Sequence, residues 1–437
     1  MAGLYRLFET PSGRKFVFDG ATGLILTPKP GIDPEKLQNA QKALPSVEWE
    51  QSFAEYMELA ERRIPALLLQ LTRRCSLDCA YCVYSGRYAH MEPHAAQDMS
   101  RETLRRSLEF YRAHSADCPE ASVDLYGGEA LLRPDLAAEA LELSGRLFAG
   151  KKLKVRLTTN GTLLGESAAR LLERYPYFSV LVTVNGPEHD RYRRYPDGSG
   201  SLGRIMENLK RLRESRPEVW ERQVHFIANV AGSEELPGLL DFYRRELGRP
   251  PDAVTHIRAQ DADESVLDML RPDDEALMER LRLEYCESGD PFLGAVFARQ
   301  VQTVERRRLL RCGSCGIIGS CLPPSEKLFV HADGRFGVCE TCCDKVIIGD
   351  LEHGFDREEL HRLYCGAQRL FGAQCRGCWA QRLCTVCLKD VFRPDGGFVE
   401  RISEGFCRES RAMAESQLRL YCELALRGAF DKGTVRR

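Results

Sequence analysis

No run of apolar residues in this 437-residue chain approaches the length of a membrane-spanning helix. The longest, around Ala66–Leu71 and Val180–Val184, have the length of buried strands. The opening residues, MAGLYRLFETPSG, lack the apolar core and cleavage site of a signal peptide, so a cytoplasmic location is expected. Neither sign of charge is in excess. A formal net charge of −2 leaves no basic footprint, so neither nucleic acid nor membrane is expected as a partner. Local arginine runs such as Arg306, Arg307 and Arg308 read as a solvated helix face. There is no internal repeat and no low-complexity segment. What remains is an ordinary globular composition, 43% hydrophobic and 29% charged, in a chain long enough for two or three domains.

Cysteine, by contrast, is abundant: the chain has 18. In a long chain expected to be cytoplasmic, disulfides do not explain them. Three lie between Cys75 and Cys82, Cys118 and Cys286 stand alone, twelve fall between Cys312 and Cys407, and Cys422 closes the series. Two dense groups separated by a cysteine-poor middle imply metal sites in at least two places. The first group reads C-x3-C-x2-C, in the string CSLDCAYC. Three thiolates on one short loop can bind three irons of a cubane that normally takes four cysteines, which leaves the fourth iron open to a substrate or cofactor. The plain alternative is a zinc knuckle, although zinc usually takes closed sets of four ligands in CxxC pairs.

Residues 1–64 form a leading segment. Leu4–Glu9, Lys15–Asp19 and Leu24–Thr27 read as short strands, and Pro34–Leu44 and Phe53–Arg63 as helices. This segment is expected to be either a peptide-binding element or a lid. Over residues 65–300 strands alternate with helices. The strands are expected at Ala66–Leu71, Ser122–Tyr126, Lys154–Thr158, Ser179–Val184, Val224–Val230 and Ala253–Arg258. Helical patterns such as Arg101–Ser115, Arg133–Phe148, Glu166–Arg174, Leu202–Glu214 and Leu236–Leu247 lie between them. Such alternation builds a parallel sheet with right-handed crossovers. Six units are too few to close an eight-stranded barrel, so the fold class is α/β with an open, partial (β/α)6 barrel. Its active site belongs at the carboxyl ends of the strands, where the triple-cysteine loop lies. Helices at Asp273–Glu284 and Gly294–Leu310 lead to a cysteine-rich domain at 301–410, which has Gly turns, little helical periodicity and a need for metal staples. Residues 411–437 complete the chain as a helix, begun near Glu409, and a tail.

The cysteine loop, with Tyr81 before its last cysteine, resembles the signature of the radical S-adenosylmethionine (SAM) enzymes. Three further motifs match in order. YGGEALL ends the second strand and places Gly127, Gly128 and Glu129 there. In the family this element binds the SAM amino group beside the cluster, and the two glycines allow close backbone approach to a ligand. TTNGTLL, at Thr158–Leu164, resembles the third-strand turn, and VTVNGPEHDRYR, at Val182–Arg193, the fourth-strand element. Thr183 takes the place of a serine that contacts SAM, and Arg193 that of an arginine. Asn185 stands where an aspartate is usual, which puts a charge role there in doubt. The bland alternatives are a strand hydroxyl for Thr183 and a surface cation for Arg193.

The later cysteines read Cys321-x12-Gly334-x4-Cys339, then Cys375-x2-Cys378-x5-Cys384-x2-Cys387, then Cys407. This resembles the SPASM extension of radical SAM peptide-modifying enzymes, except that x2 replaces x3 before Cys387. The resemblance implies that Cys315, Cys321, Cys339 and Cys387 hold one auxiliary [4Fe–4S] cluster, and Cys375, Cys378, Cys384 and Cys407 a second. Cys312 is a rival for the place of Cys315, and two structural zincs are the alternative to clusters.

The cofactors implied are therefore SAM and three [4Fe–4S] clusters. The implied activity is reductive cleavage of SAM to a 5′-deoxyadenosyl radical, hydrogen abstraction from a ribosomally made precursor peptide, and oxidative bond formation such as a thioether. The electron comes from an external donor of flavodoxin or ferredoxin type. Glu340, directly after Cys339, is the candidate base, or else a solvent carboxylate. YCVYSGRY is similar to maturases of cysteine-rich peptides. Two alternatives stand beside this: a sulfatase-type maturase making formylglycine, and a non-catalytic iron–sulfur carrier or zinc-stapled binding protein.

Overall fold

A computed structural model describes residues 4–27, 52–258, 261–308 and 321–430. The helix expected at Pro34–Leu44, together with Cys312 and Cys315, lies outside the described residues.

All six expected strands form, as β1 (Ala66–Thr72), β2 (Glu120–Gly127), β3 (Lys152–Thr159), β4 (Phe178–Thr183), β5 (Val224–Val230) and β6 (Ala253–His256). They pair in parallel and in chain order. Strands that each neighbour the next make a curved, progressive sheet, as the (β/α) alternation requires. In β2 the residues Ala121, Val123 and Leu125 are fully buried under the helices, while Ser122, Asp124 and Tyr126 face the other way and stay partly open. β5 alternates in the same manner. The outer face is thus an apolar core, in which each fully buried leucine or valine contributes about 2 kcal/mol. The inner face is left polar.

The sheet does not end at β1. A strand from the cysteine-rich region, β7 (Leu328–Val330), pairs in parallel with β1. β8 (Arg335–Gly337), β9 (Ile347–Asp350) and β10 (Gly354–Phe355) continue it as an antiparallel meander, giving ten strands in one sheet. The divide expected near residue 300 falls within the helix Pro291–Arg307. The cysteine-rich region also contains a 19-residue helix, Arg357–Cys375, where little helical periodicity was expected. Its apolar stripe is real: Leu360, Leu363, Tyr364, Ala367, Leu370 and Phe371 are buried, and Asp356 caps it by accepting from the Glu359 N–H (2.9 Å). The last helix runs from Glu404 to Leu426, starting five residues before the expected Glu409, so that Cys407 sits in its first turn. Arg307 is not part of a solvated face either; it is half-buried and donates to the Cys384 carbonyl (3.0 Å).

Residues 4–27 make a separate three-stranded antiparallel sheet, Tyr5–Glu9, Lys15–Asp19 and Ile25–Leu26. It packs on the cysteine-rich region. Phe18 meets Trp379 edge-to-face, and the Gly20 carbonyl accepts from Arg382 Nε (3.0 Å). Among the described residues no helix is long and apolar enough to cross a membrane.

Candidate active site

Cys75, Cys79 and Cys82 lie on the loop that leaves β1. That loop crosses directly over the end of β2. The Gly128 N–H donates to the Thr72 carbonyl and the Glu129 N–H to the Arg74 carbonyl, both at 2.8 Å. A Cβ on Gly127, whose φ is +136°, would stand 2.2 Å from the Thr72 oxygen; one on Gly128 would stand 2.0 Å from the Arg74 oxygen. The glycines therefore make room for the main chain of the cysteine loop.

Glu129 is fully buried. Its carboxylate accepts from the Leu131 N–H (3.0 Å), the Thr159 hydroxyl (2.8 Å) and the Asn160 N–H (2.8 Å). An ionised carboxylate has about four acceptor sites, so one remains for a ligand donor. Burial raises its pKa while these three donors and nearby Arg193 oppose the rise. The third-strand turn is thereby tied to the second strand, and Asn160 then reaches the cysteine loop. Its Nδ2 donates to Ser76 Oγ (3.0 Å) and lies 3.9 Å from Cys75 Sγ.

Arg193 arrives by a route that no local pattern encodes. Arg193–Arg194 pairs as a two-residue antiparallel strand with Asp78–Cys79, inside the cysteine loop. Its guanidinium is buried, which disposes of the surface-cation alternative. Nη1 donates to the Tyr81 hydroxyl (2.9 Å), and Nε has no partner among the described residues. Burial opposes its charge, but the Cys79, Tyr81 and Cys75 side chains hold it firmly protonated. The three thiols in turn are pushed up by burial, Cys75 and Cys82 to about 12, while Arg193 pulls the other way. A metal ligating them must displace their protons.

Tyr81 is the hub. Besides Arg193, the Asn185 amide (3.1 Å) and the Asn229 amide (3.2 Å) donate to its oxygen. Asn185 also accepts from the Asn229 N–H (2.9 Å). An aspartate could not donate to Tyr81, so the amide at 185 has its own use here. Thr183 is buried at the end of β4, and its hydroxyl has no hydrogen-bond partner among the described residues. The sequence motifs did not point to Asn229 or His94. Asn229 faces inward near the end of β5, a position that strand alternation marks. His94 places Nε2 3.7 Å from Cys82 Sγ and Nδ1 3.0 Å from the Arg73 carbonyl.

The later cysteines gather in two sets. Cys321 and Cys387 interact, which lowers the Cys387 thiol and raises that of Cys321, and Cys339 lies near Cys321. Cys375, Cys378, Cys384 and Cys407 line one cavity of about 1050 Å³. Cys315, expected with the first set, is outside the described residues. No three His, Cys, Asp or Glu among the described residues are arranged to hold a single metal ion. Zinc needs its sulfurs converging at about 2.3 Å on one point, whereas a cubane takes each thiolate on a different iron. All-thiol sets and the unpartnered Nε of Arg193, buried amid the first set, fit a bound anionic cluster with an additional acceptor.

The first set is bridged to the later cysteines. The Tyr84 hydroxyl donates to the Glu340 carbonyl (2.6 Å), and the half-buried Tyr126 of β2 lies near Cys75, Cys82, Cys339 and Glu340. Glu340 is not a solvent carboxylate. It is largely buried and ion-paired with Lys327, and the Cys339 thiol donates to it (3.0 Å). Burial alone would raise its pKa, but Lys327 holds it below the usual carboxylate value.

Residues 69–228 match the family model of the Radical SAM superfamily. A probable GTP 3′,8-cyclase of Methanococcus maripaludis is 27% identical over 186 residues, 42% of this chain and 56% of that protein. The match thus spans about half the length of that relative. The antilisterial bacteriocin subtilosin biosynthesis protein AlbA of Bacillus subtilis is 29% identical over 147 residues, 33% of this chain and 29% of that protein. Among solved structures, native anSMEcpe with bound AdoMet aligns with a TM-score of 0.61 at 16% identity, over 82% of this chain and 99% of that one. Streptococcus suis SuiB aligns with a TM-score of 0.50 at 13% identity, over 92% of this chain and 98% of that one. The chain carries a radical SAM domain in the radical SAM α/β fold.

Proposed function

We propose that this radical SAM chain is a maturase that modifies a ribosomally made precursor peptide by hydrogen abstraction and oxidative bond formation. The observation that carries the reading is the buried Arg193, set among three thiols at the carboxyl end of the first barrel strand, with one N–H unanswered. When bound, a cubane with an open iron supplies one electron to SAM, whose cleavage provides the hydrogen-abstracting radical. Cys75, Cys79 and Cys82 would hold that cluster, and Arg193, Thr183 and the spare acceptor site of Glu129 would contact the polar groups of SAM. Tyr84, Tyr88 and Met91 are buried over the cysteine loop and exclude water from it. Glu340 accepts the proton that leaves with the new bond, with Lys327 keeping it ionised beforehand.

A peptide substrate is supported by two relatives. AlbA is named for bacteriocin biosynthesis, and anSMEcpe has been solved with a bound Cp18Cys peptide. It is supported also by the cysteine-rich region, whose strands extend the barrel sheet and bring Cys339 and Glu340 next to the first thiol set. Cys321, Cys339 and Cys387, with Cys315, would hold one auxiliary cluster and the other four thiols a second, suited to taking up the electron released by the substrate. The test is anaerobic reconstitution. Three cubanes give about twelve irons per chain at four each. The Cys75/Cys79/Cys82→Ala variant falls to about eight and loses SAM cleavage. Zinc as the main metal, or undiminished cleavage in the variant, refutes the assignment.

A further inference from the structure

The cavity lined by Cys375, Cys378, Cys384 and Cys407 has a cationic lining. Arg362, Arg369, Arg376, Arg401 and Arg411 border it, against two acidic side chains, Glu400 and Glu404. In a chain whose net charge is −2, this is a local reversal of sign. Arg411 is matched by Glu404, and Arg362 by Glu359. Arg369 and Arg401 are exposed. An anionic cluster inside accounts for part of this charge, but exposed guanidiniums around an opening also face whatever approaches it.

The cavity also stands at one end of a row. Cys384-x2-Cys387 joins its thiols to the set of Cys321 and Cys339. The Tyr84–Glu340 hydrogen bond joins that set to the loop of Cys75, Cys79 and Cys82. An electron entering at the cavity would therefore have a route inward along thiol sets linked through these residues.

We propose that this arginine-lined opening docks an acidic one-electron carrier protein of flavodoxin or ferredoxin type. The carrier loses one electron and the cluster held by Cys375, Cys378, Cys384 and Cys407 gains it; no bond or proton is exchanged. Arginine suits this contact because its planar fork binds carboxylates bidentately and it is always charged. The inference rests on the reading of these four thiols as cluster ligands.

The test uses reconstituted, full-length protein with its iron counted first. About four irons per chain would overturn the cluster reading and this docking site with it, whereas about twelve leaves the docking site to be judged alone. Reduction of the clusters by photoreduced flavodoxin is followed by stopped-flow absorbance in wild type and in Arg369→Glu/Arg401→Glu. Both positions are exposed, so folding is preserved. At low ionic strength the variant should lose about tenfold in second-order rate, the scale of electrostatic steering. The gap should close toward about 1 M salt, where the Debye length falls to about 3 Å. Iron content and the rate with dithionite should not change. An unchanged flavodoxin rate overturns the proposal. So does an equal slowing with dithionite, which would place the effect on the cluster itself. A third overturning result is loss of labelled precursor peptide binding with the flavodoxin rate intact, which would make the peptide the occupant.

Discussion

In the barrel, three thiols hang from a loop whose two ends are fixed by an apolar core that needs no metal. Between Cys321 and Cys407, seven proposed ligand thiols sit among strands of two to four residues. They hold a large cavity open between helix ends and turns. The first site is grafted onto a scaffold, whereas the second set is part of the scaffold. On the proposed reading, a metal lost from the barrel would remove chemistry, and a metal lost from the cysteine-rich region would remove cross-links.

The largest expected effect breaks this comparison directly. Cys375/Cys378/Cys384/Cys407→Ala should leave the region from Arg357 to Leu426 open to limited proteolysis and broaden its thermal transition, because bound metal is folding free energy in such segments. Cys75/Cys79/Cys82→Ala should melt within a few degrees of wild type. Equal losses in both variants would mean that the two regions do not differ as described.

Glu340 lies at the junction of the two regions. Glu340→Gln should still yield deoxyadenosine but slow peptide product by about 10²–10⁴-fold, the usual loss when a general base is removed. Chromatography of both products checks it. Normal product formation would leave Glu340 as the structural partner of Lys327.

Glu129 sharpens the barrel side. Glu129→Ala strands the Thr159 hydroxyl and the Leu131 and Asn160 N–H groups, at about 1–3 kcal/mol each. Chemical denaturation should therefore reveal a fall in stability in addition to weaker SAM binding. A variant as stable as wild type would show that the carboxylate serves the ligand alone.

A pH effect marks the other side of the junction. Burial pushes the Asp344 carboxyl from 3.8 up to about 6. Its Oδ2 accepts from the Glu92 N–H (3.0 Å), while Oδ1 is unpartnered and His331 Nε2 lies 4.0 Å away. A raised carboxyl holds its proton more tightly in the folded chain. Its stabilising contribution is complete below about 3.8 and is lost as pH rises through about 6, at a cost of about 2–3 kcal/mol. Asp344→Asn should flatten denaturation midpoints between pH 5 and 7 and be the more stable protein at pH 7. An unchanged slope assigns the titration to another group.

The smallest effect concerns residues 4–27. Their sheet anchors Trp379 and Arg382, so deleting it would disturb the second thiol set and confuse a binding test. Leu7 and Leu26, on its two outer strands, are instead exposed at 45% and 38%. If the sheet grips a leader peptide, Leu7→Asp/Leu26→Asp should weaken leader binding about tenfold in fluorescence anisotropy and leave iron content alone. Equal affinity would make it a structural lid.

Much of this was legible along the chain. Period-2 and period-3.6 patterning marked all six barrel strands and the helices between them, because those signals report which face is buried. The spacing C-x3-C-x2-C, and the GGE, TNG and HD-x2-R elements, marked the positions around the first thiol set, because a loop leaving a strand keeps its neighbours in sequence close in space. The helix Arg357–Cys375 is hard to read from sequence because its cysteines and glycines interrupt the apolar stripe that the folded chain buries.

The amino-acid order by itself determined the β/α alternation, the open cysteine loop and the abundance of later thiols, since each depends on neighbours within a turn or a strand. Tertiary structure decided what those residues do to one another. It paired Arg193 with the strand of Cys79, so that a cation lies among three thiols. It gave the two glycines to the main chain of the cysteine loop and most of the Glu129 carboxylate to the neighbouring turn. It laid β7 beside β1, bringing Glu340 and Lys327 to the first site. These contacts join residues about 30 to 260 positions apart. Their energies come from burial and hydrogen-bond satisfaction, which only the folded arrangement of distant segments can supply.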